Sequence, residues 1–139
     1  MNDGRFDLTP VGRVESTLTD AGSAPKQGDE GAPEALLVLE PWATDALDGI
    51  RVGDQVLLLT WLDRARRDLL RVHPRDDLTR PSQGVFSTRS ADRPNPIGLH
   101  RVEVLTVEEG CIRVHPLEAV HGTPLLDIKP VLGGTVSER

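Results

Sequence analysis

Residues 99–120, LHRVEVLTVEEGCIRVHPLEAV, restrict the fold more than any other stretch of this chain. Val102 and Val104 alternate with polar neighbours, and Glu108-Glu109-Gly110 follows as a turn signal. Successive side chains of a strand point to opposite faces, so such a run has one apolar and one wet face and reads as a β-hairpin. Other runs have strand length too: the β-prone Val11 to Val14, ALLVLEP at 35–41, the unbroken QVLLLTWL at 55–62, GVFST at 84–88 and PLLDIKPVL at 124–132. Pro41 opens one short predicted helix that ends near Gly49, since proline suits a helix's first turn and glycine its end. Many short strands, one short helix and frequent Gly/Pro turns predict an all-β barrel or sandwich.

The 139 residues show no internal repeat and fit one domain, 1–139. Residues 20–34 read as a long irregular loop, 64–82 as mostly loop with a helical turn, and 133–139 as a tail. Aromatics make up only 3% and Tyr is absent, so Val, Leu and Ile must supply the core. There is neither an apolar run of about 18 residues nor a basic-then-apolar start, so no membrane span or secretory signal is expected. A cytoplasmic protein is the expectation.

The net charge of −6 argues against a broad nucleic-acid footprint, but the charge is unevenly spread. Residues 64–101 hold nine Arg against four Asp, a net +5, while the rest carries seven basic and eighteen acidic groups. Both Lys lie outside that segment. Its positive charge is therefore all guanidinium, a planar fork suited to phosphate and carboxylate. The same segment also reads as a solvated surface.

Several chemistries lack the residues they need. The four His are scattered, and neither they nor Cys111 have companions at zinc-ligand spacing, so no metal is expected. No Gly-x-Ser-x-Gly elbow is present, Cys111 reads as a small apolar filler, and Gly133-Gly134 has no strand–helix unit around it. Three polar clusters remain: Lys26-Gln27; Thr88, Arg89, Arg93 and Asn95; and HGTPLLDIKP at 121–130. In the last, strand periodicity puts Asp127 and Lys129 on one face, which reads equally as an exposed strand face. Pro94 and Pro96 fix the backbone around Asn95 and hold Arg93 and Asn95 at little entropic cost.

GVFSTRSADRPNPIGLHRVEVL, residues 84–105, closely resembles the signature of the TsaA-like (TrmO/YaeB) family, roughly G-V-F-A-T-R-S-x-x-R-P-N-P-I-G-L. HGTPLLDIKP resembles the family's second signature, D-G-T-P-[VL]-L-D-I-K-P, while TPVGRVES and PKQGDEG resemble its opening elements, in the family's order. The resemblance implies a small β-barrel methyltransferase that uses S-adenosylmethionine and works as a homodimer, with the cofactor near the subunit interface. Assigned members methylate N6 of threonylcarbamoyl-adenosine 37 in threonine tRNA.

The family's cofactor contacts carry over to Pro25, Lys26 and Gln27, to Leu62 and Asp63, to Arg89 and Leu99, and to Val120, His121, Gly122 and Thr123. Arg93 and Asn95 are expected to support them. Leu62 and Asp63 stand where relatives often carry a His and a polar partner, His121 replaces the usual Asp, and the chain ends just after the second motif. Asp127 is the expected proton acceptor, with His121 second, and Lys129 would stabilise charge on the acceptor's carbonyl oxygen. Arg66, Arg67 and Arg71 would hold tRNA phosphates. A small-molecule acceptor is the alternative to tRNA, and a non-catalytic ligand-binding module is a third reading.

Overall fold

The computed structural model describes residues 4–20 and 31–133, so Pro25, Lys26, Gln27 and the predicted tail after residue 133 lie outside the described residues. Six antiparallel strands close a barrel: β1 (Gly12–Glu15), β2 (Ala35–Leu39), β3 (Gln55–Trp61), β6 (Ile97–Glu108), β7 (Cys111–His115) and β8 (Pro124–Pro130). Around the barrel the order is β1-β2-β7-β6-β3-β8, with β8 pairing back onto β1. Between β3 and β6 the chain makes a long excursion, residues 62–96, that holds a two-residue ribbon of β4 (Arg71–Val72) and β5 (Gln83–Gly84).

Period-two alternation builds the barrel wall. In β6, Gly98, His100, Val102 and Val104 point inward while Ile97, Leu99, Arg101 and Glu103 point out. The core is aliphatic, as the composition requires: Val14, Leu37, Leu58, Val104, Ile112, Val114 and Leu125 are all fully buried. The helix expected from Pro41 is a seven-residue 3-10 helix, Pro41–Leu47, whose Ala43 and Leu47 cap one end of the core. At the opposite end the segment after β7 inserts Leu117 and Ala119.

GVFST is not a strand. Only Gln83–Gly84 pairs, and Val85–Ser87 forms a 3-10 turn. The Ser87 and Thr88 hydroxyls donate to the carbonyls of Gly84 and Val85, and the Thr88 amide donates to Val85 as well. Those short-range bonds compete with ladder formation in a segment that has only a two-residue partner.

One glycine is dictated by close approach. A Cβ on Gly12 would lie 2.3 Å from the Val38 carbonyl oxygen and 3.0 Å from the Leu39 Cα, both backbone atoms of the paired strand β2. Gly12→Ala must therefore part β1 from β2, and we expect a loss of about 3 kcal/mol. Thermal denaturation should show a melting point lower by roughly 10 °C; an unchanged melting point would mean that the strands can separate freely.

Candidate functional site

Strand registers gather the expected site segments at one end of the barrel. β3 ends there at Trp61, opposite Ile97 at the start of β6. The β8 N-terminus meets β1 there through Arg13↔Pro124, and β7 finishes one residue past the Val114↔Ala35 pair. Leu62 and Asp63, Leu99, and Val120 to Thr123 thus approach the same rim. The described chain also leaves β1 and returns to β2 at this end, with Pro25, Lys26 and Gln27 lying between, outside the described residues.

The turn at His121–Thr123 is fixed by its backbone. The amides of His121 and Gly122 donate to the carbonyls of Leu18 and Val14, and the Thr123 hydroxyl donates to Val120. Gly122 has φ +88°, which a side chain would strain. His121 is exposed, and its Nδ1 accepts the Ser16 amide proton. In the neutral imidazole the ring proton then sits on Nε2, which is a donor and not a base.

The 85–96 loop is wired to itself. Arg93 donates to three backbone carbonyls: Val85 (2.6 Å), Thr88 (2.5 Å) and Ser90 (2.9 Å). The Thr88 and Ser90 hydroxyls accept the amides of Ser90 and Asp92, and Asp92 accepts the Arg66 amide. Arg89, at the centre of this frame, is exposed and has no hydrogen-bond or ion-pair partner among the described residues. Arg93 is scaffolding; Arg89 is the cation the loop presents.

The three arginines expected to bind RNA all have protein partners. Arg66 forms a two-pronged pair with Asp68, at 3.1 and 2.9 Å. That bond holds the Asp68 carboxyl below its ordinary range and raises the Arg66 guanidinium. Arg67 stacks on Trp61, 5.0 Å from the ring centre, while donating to the Pro94 carbonyl and the Asn95 side chain. Arg71 grips Ser82 across the β4–β5 ribbon. Asn95 therefore supports the loop through Arg67.

Asp127 and Lys129 share the outer face of β8. The pairs Leu59↔Leu99 and Leu59↔Asp127 put Leu99, Leu59 and Asp127 in one row across β6, β3 and β8. At about 4.8 Å per strand, Leu99 and Asp127 are separated by roughly 10 Å. Asp127 Oδ1 accepts the Ile128 amide, and Lys129 lies in the next row beside Leu57. Burial, with Glu108 and Glu15 nearby, raises the Cys111 thiol, which keeps it protonated at neutral pH and unsuited to be a nucleophile.

One polar group of the site region belongs to none of the three clusters that stand out in the sequence. His100 is buried, its Nε2 lies 2.7 Å from the Thr60 hydroxyl, and its Nδ1 is bonded to Glu118. The signal was present: Leu99 and Arg101 point outward, so His100 between them must point in, and a buried imidazole needs partners.

Comparison with known proteins agrees with this geometry. The family model described as the tRNA-methyltransferase O N-terminal domain matches residues 13–135. A probable S-adenosyl-L-methionine-binding protein of Methanothermobacter thermautotrophicus is 42% identical over 130 residues, 94% of this chain and 93% of the relative. An S-adenosyl-L-methionine-binding protein of Archaeoglobus fulgidus is 41% identical over 123 residues, covering 88% of this chain and 86% of the other. The crystal structure of TrmO from Pseudomonas aeruginosa superposes with a TM-score of 0.74 at 28% identity. The match covers 97% of this chain but 60% of that one, so this chain spans less than two thirds of the solved TrmO. With both signatures on one barrel rim and the family model running through nearly every strand, the chain belongs to the tRNA-methyltransferase O N-terminal domain family.

Proposed function

We propose that this protein is an S-adenosylmethionine-dependent methyltransferase whose acceptor is N6 of threonylcarbamoyl-adenosine 37 in tRNA. The observation that carries the cofactor part of the reading is Arg89, an exposed guanidinium with no partner among the described residues, on a loop whose carbonyls Arg93 ties together. It fits the carboxylate of a bound amino-acid moiety, for which a planar two-pronged donor is suited. Leu62 and Leu99 offer apolar contact, and the backbone turn at Gly122 permits close approach at the same rim. These features fit the cofactor, which would supply a methyl group on a sulfonium leaving group.

The protein's own task is then placement. Holding the acceptor in line is worth about 7–11 kcal/mol by effective-molarity arguments. The acceptor nitrogen carries a carbonyl substituent that delocalises its lone pair, so drawing off its proton helps. Asp127 is our choice for that acceptor of protons, because it is exposed and, among the described residues, only its Oδ1 is engaged. His121 is less suited, since Nδ1 already accepts the Ser16 amide. Lys129 would offset negative charge developing on the carbonyl oxygen.

The face around Leu99 suits a two-fold dimer. Outward positions of a barrel wall are ordinarily polar, yet Ile97 and Leu99 are 42% and 44% exposed, beside half-buried Leu59 and Trp61. A second copy would cover them, with the cofactor rim at the interface. Sedimentation equilibrium at micromolar concentration should give a dimer; a clean monomer that binds cofactor tightly would mean the site is built within one chain. Among the described residues no helix is long and apolar enough to cross a membrane, and a tRNA substrate would place the protein in the cytoplasm.

A small-molecule acceptor is the second reading, favoured by the protein partners already held by Arg66, Arg67 and Arg71. Methyl transfer to threonylcarbamoylated and unmodified anticodon stem-loops separates the two. Transfer only to the modified stem-loop, with binding that weakens steeply as salt rises, is expected for tRNA. Cofactor binding without affinity for either RNA would shift the assignment to a small acceptor.

A further inference from the structure

We infer that the buried Thr60–His100–Glu118 chain is a positioning device that joins the two halves of the cofactor rim. The inference rests on the methyltransferase reading above. β7 ends at His115, opposite Glu103, so residues 97–102 of β6 have no β7 partner. The segment from Pro116 to Thr123 passes this gap instead. Its backbone is tied to the other side of the barrel: Leu117 donates to Pro33, His121 to Leu18 and Gly122 to Val14. Glu118 reaches across to His100, and His100 reaches Thr60 at 2.7 Å.

That chain spans the elements that carry the site. Thr60 lies two residues before Leu62, His100 adjoins Leu99, and Glu118 lies two before Val120. Thr60 is fully buried and His100 is 6% exposed, whereas the Glu118 side chain is 16% exposed at the rim. With the carboxylate accepting from Nδ1, the Thr60 hydroxyl donates to Nε2, and all three groups are satisfied. Gly98 makes room for the arrangement, since a Cβ there would lie 2.3 Å from Thr60 Oγ1 and 2.7 Å from His100 Nε2.

A hydroxyl, an imidazole and a carboxylate in series also suggest nucleophilic catalysis, but burial rules it out. Thr60 is fully buried, paired across the wall with buried Leu125, and its hydroxyl is taken up by His100, beyond reach of any substrate. His100, Thr60 and Glu118 are positioning residues that set where Val120–Thr123 sits relative to Leu62 and Leu99.

The test uses Glu118, the member nearest solvent, so that water can satisfy His100 once the carboxylate is gone. Glu118→Ala should keep a native melting profile but weaken S-adenosylmethionine binding by calorimetry about tenfold, the scale of one lost hydrogen bond to a charged group. Amide exchange should quicken at Leu117, His121 and Gly122 and stay slow in β3 and β6. Glu118→Gln keeps an acceptor for Nδ1 and should restore both affinity and protection, which a role in bulk stability alone would not explain. Wild-type cofactor affinity in Glu118→Ala, or unchanged exchange at those three amides, would overturn the inference while leaving the methyltransferase reading intact. Wild-type protein that binds no S-adenosylmethionine would overturn both.

Discussion

Arg89→Ala is expected to lower cofactor affinity more than tenfold while leaving the circular dichroism of the barrel unchanged. The side chain is exposed and carries no bond to the rest of the described protein, so removing it costs the fold nothing that the structure displays. A charge-assisted hydrogen bond to a ligand carboxylate contributes about 1.5–3 kcal/mol, which is a factor of ten or more in the dissociation constant. Arg89→Lys should recover part of that loss, because an ammonium keeps the charge but not the planar two-pronged geometry. Calorimetry with S-adenosylmethionine and its demethylated product measures both variants. Both ligands carry the same carboxylate, so they should weaken together. Unchanged affinity in a folded Arg89→Ala protein would remove Arg89 from the site.

The barrel was legible because its physics is periodic. Alternation in β6 and the aliphatic runs of β2, β3 and β8 each declare a wall facing an apolar interior, and turn residues mark where each wall stops. The excursion between β3 and β6 was not legible for the converse reason. Its order comes from side chains bonded to carbonyls many residues away, such as Arg67 to Pro94, and no local pattern encodes such a pairing. GVFST looked like a strand because Val and Phe are strand formers; hydroxyl-to-carbonyl bonds turned it into a 3-10 bend with Val85 buried and Phe86 84% exposed. Resemblance to the family gives Arg89 as a cofactor contact, and the proline-stiffened loop gives Arg93 as its support. The geometry adds how that support works: Arg93 ties three carbonyls of the loop together while Arg89 stays exposed.

That difference makes Arg93→Ala the sharper experiment. The guanidinium of Arg93 holds three carbonyls of its own loop, and Val85 and Thr88 share one of its nitrogens. Lysine cannot imitate that fork, so Arg93→Lys should behave nearly as badly as Ala. Hydrogen bonds from a charged donor contribute about 1.5–3 kcal/mol each, though the three will not add in full because the loop relaxes when the first is lost. The barrel core contains none of these atoms, so β3, β6 and β8 should keep their slow amide exchange while residues 85–93 lose theirs. Cofactor affinity should fall as far as in Arg89→Ala, since a loop without its frame no longer holds Arg89 in one place. The double variant Arg89→Ala/Arg93→Ala should then bind no worse than either single one. Additive losses in that cycle would instead give Arg93 its own contact with the ligand, and an Arg93→Ala protein with native affinity would mean that the loop needs no frame at all.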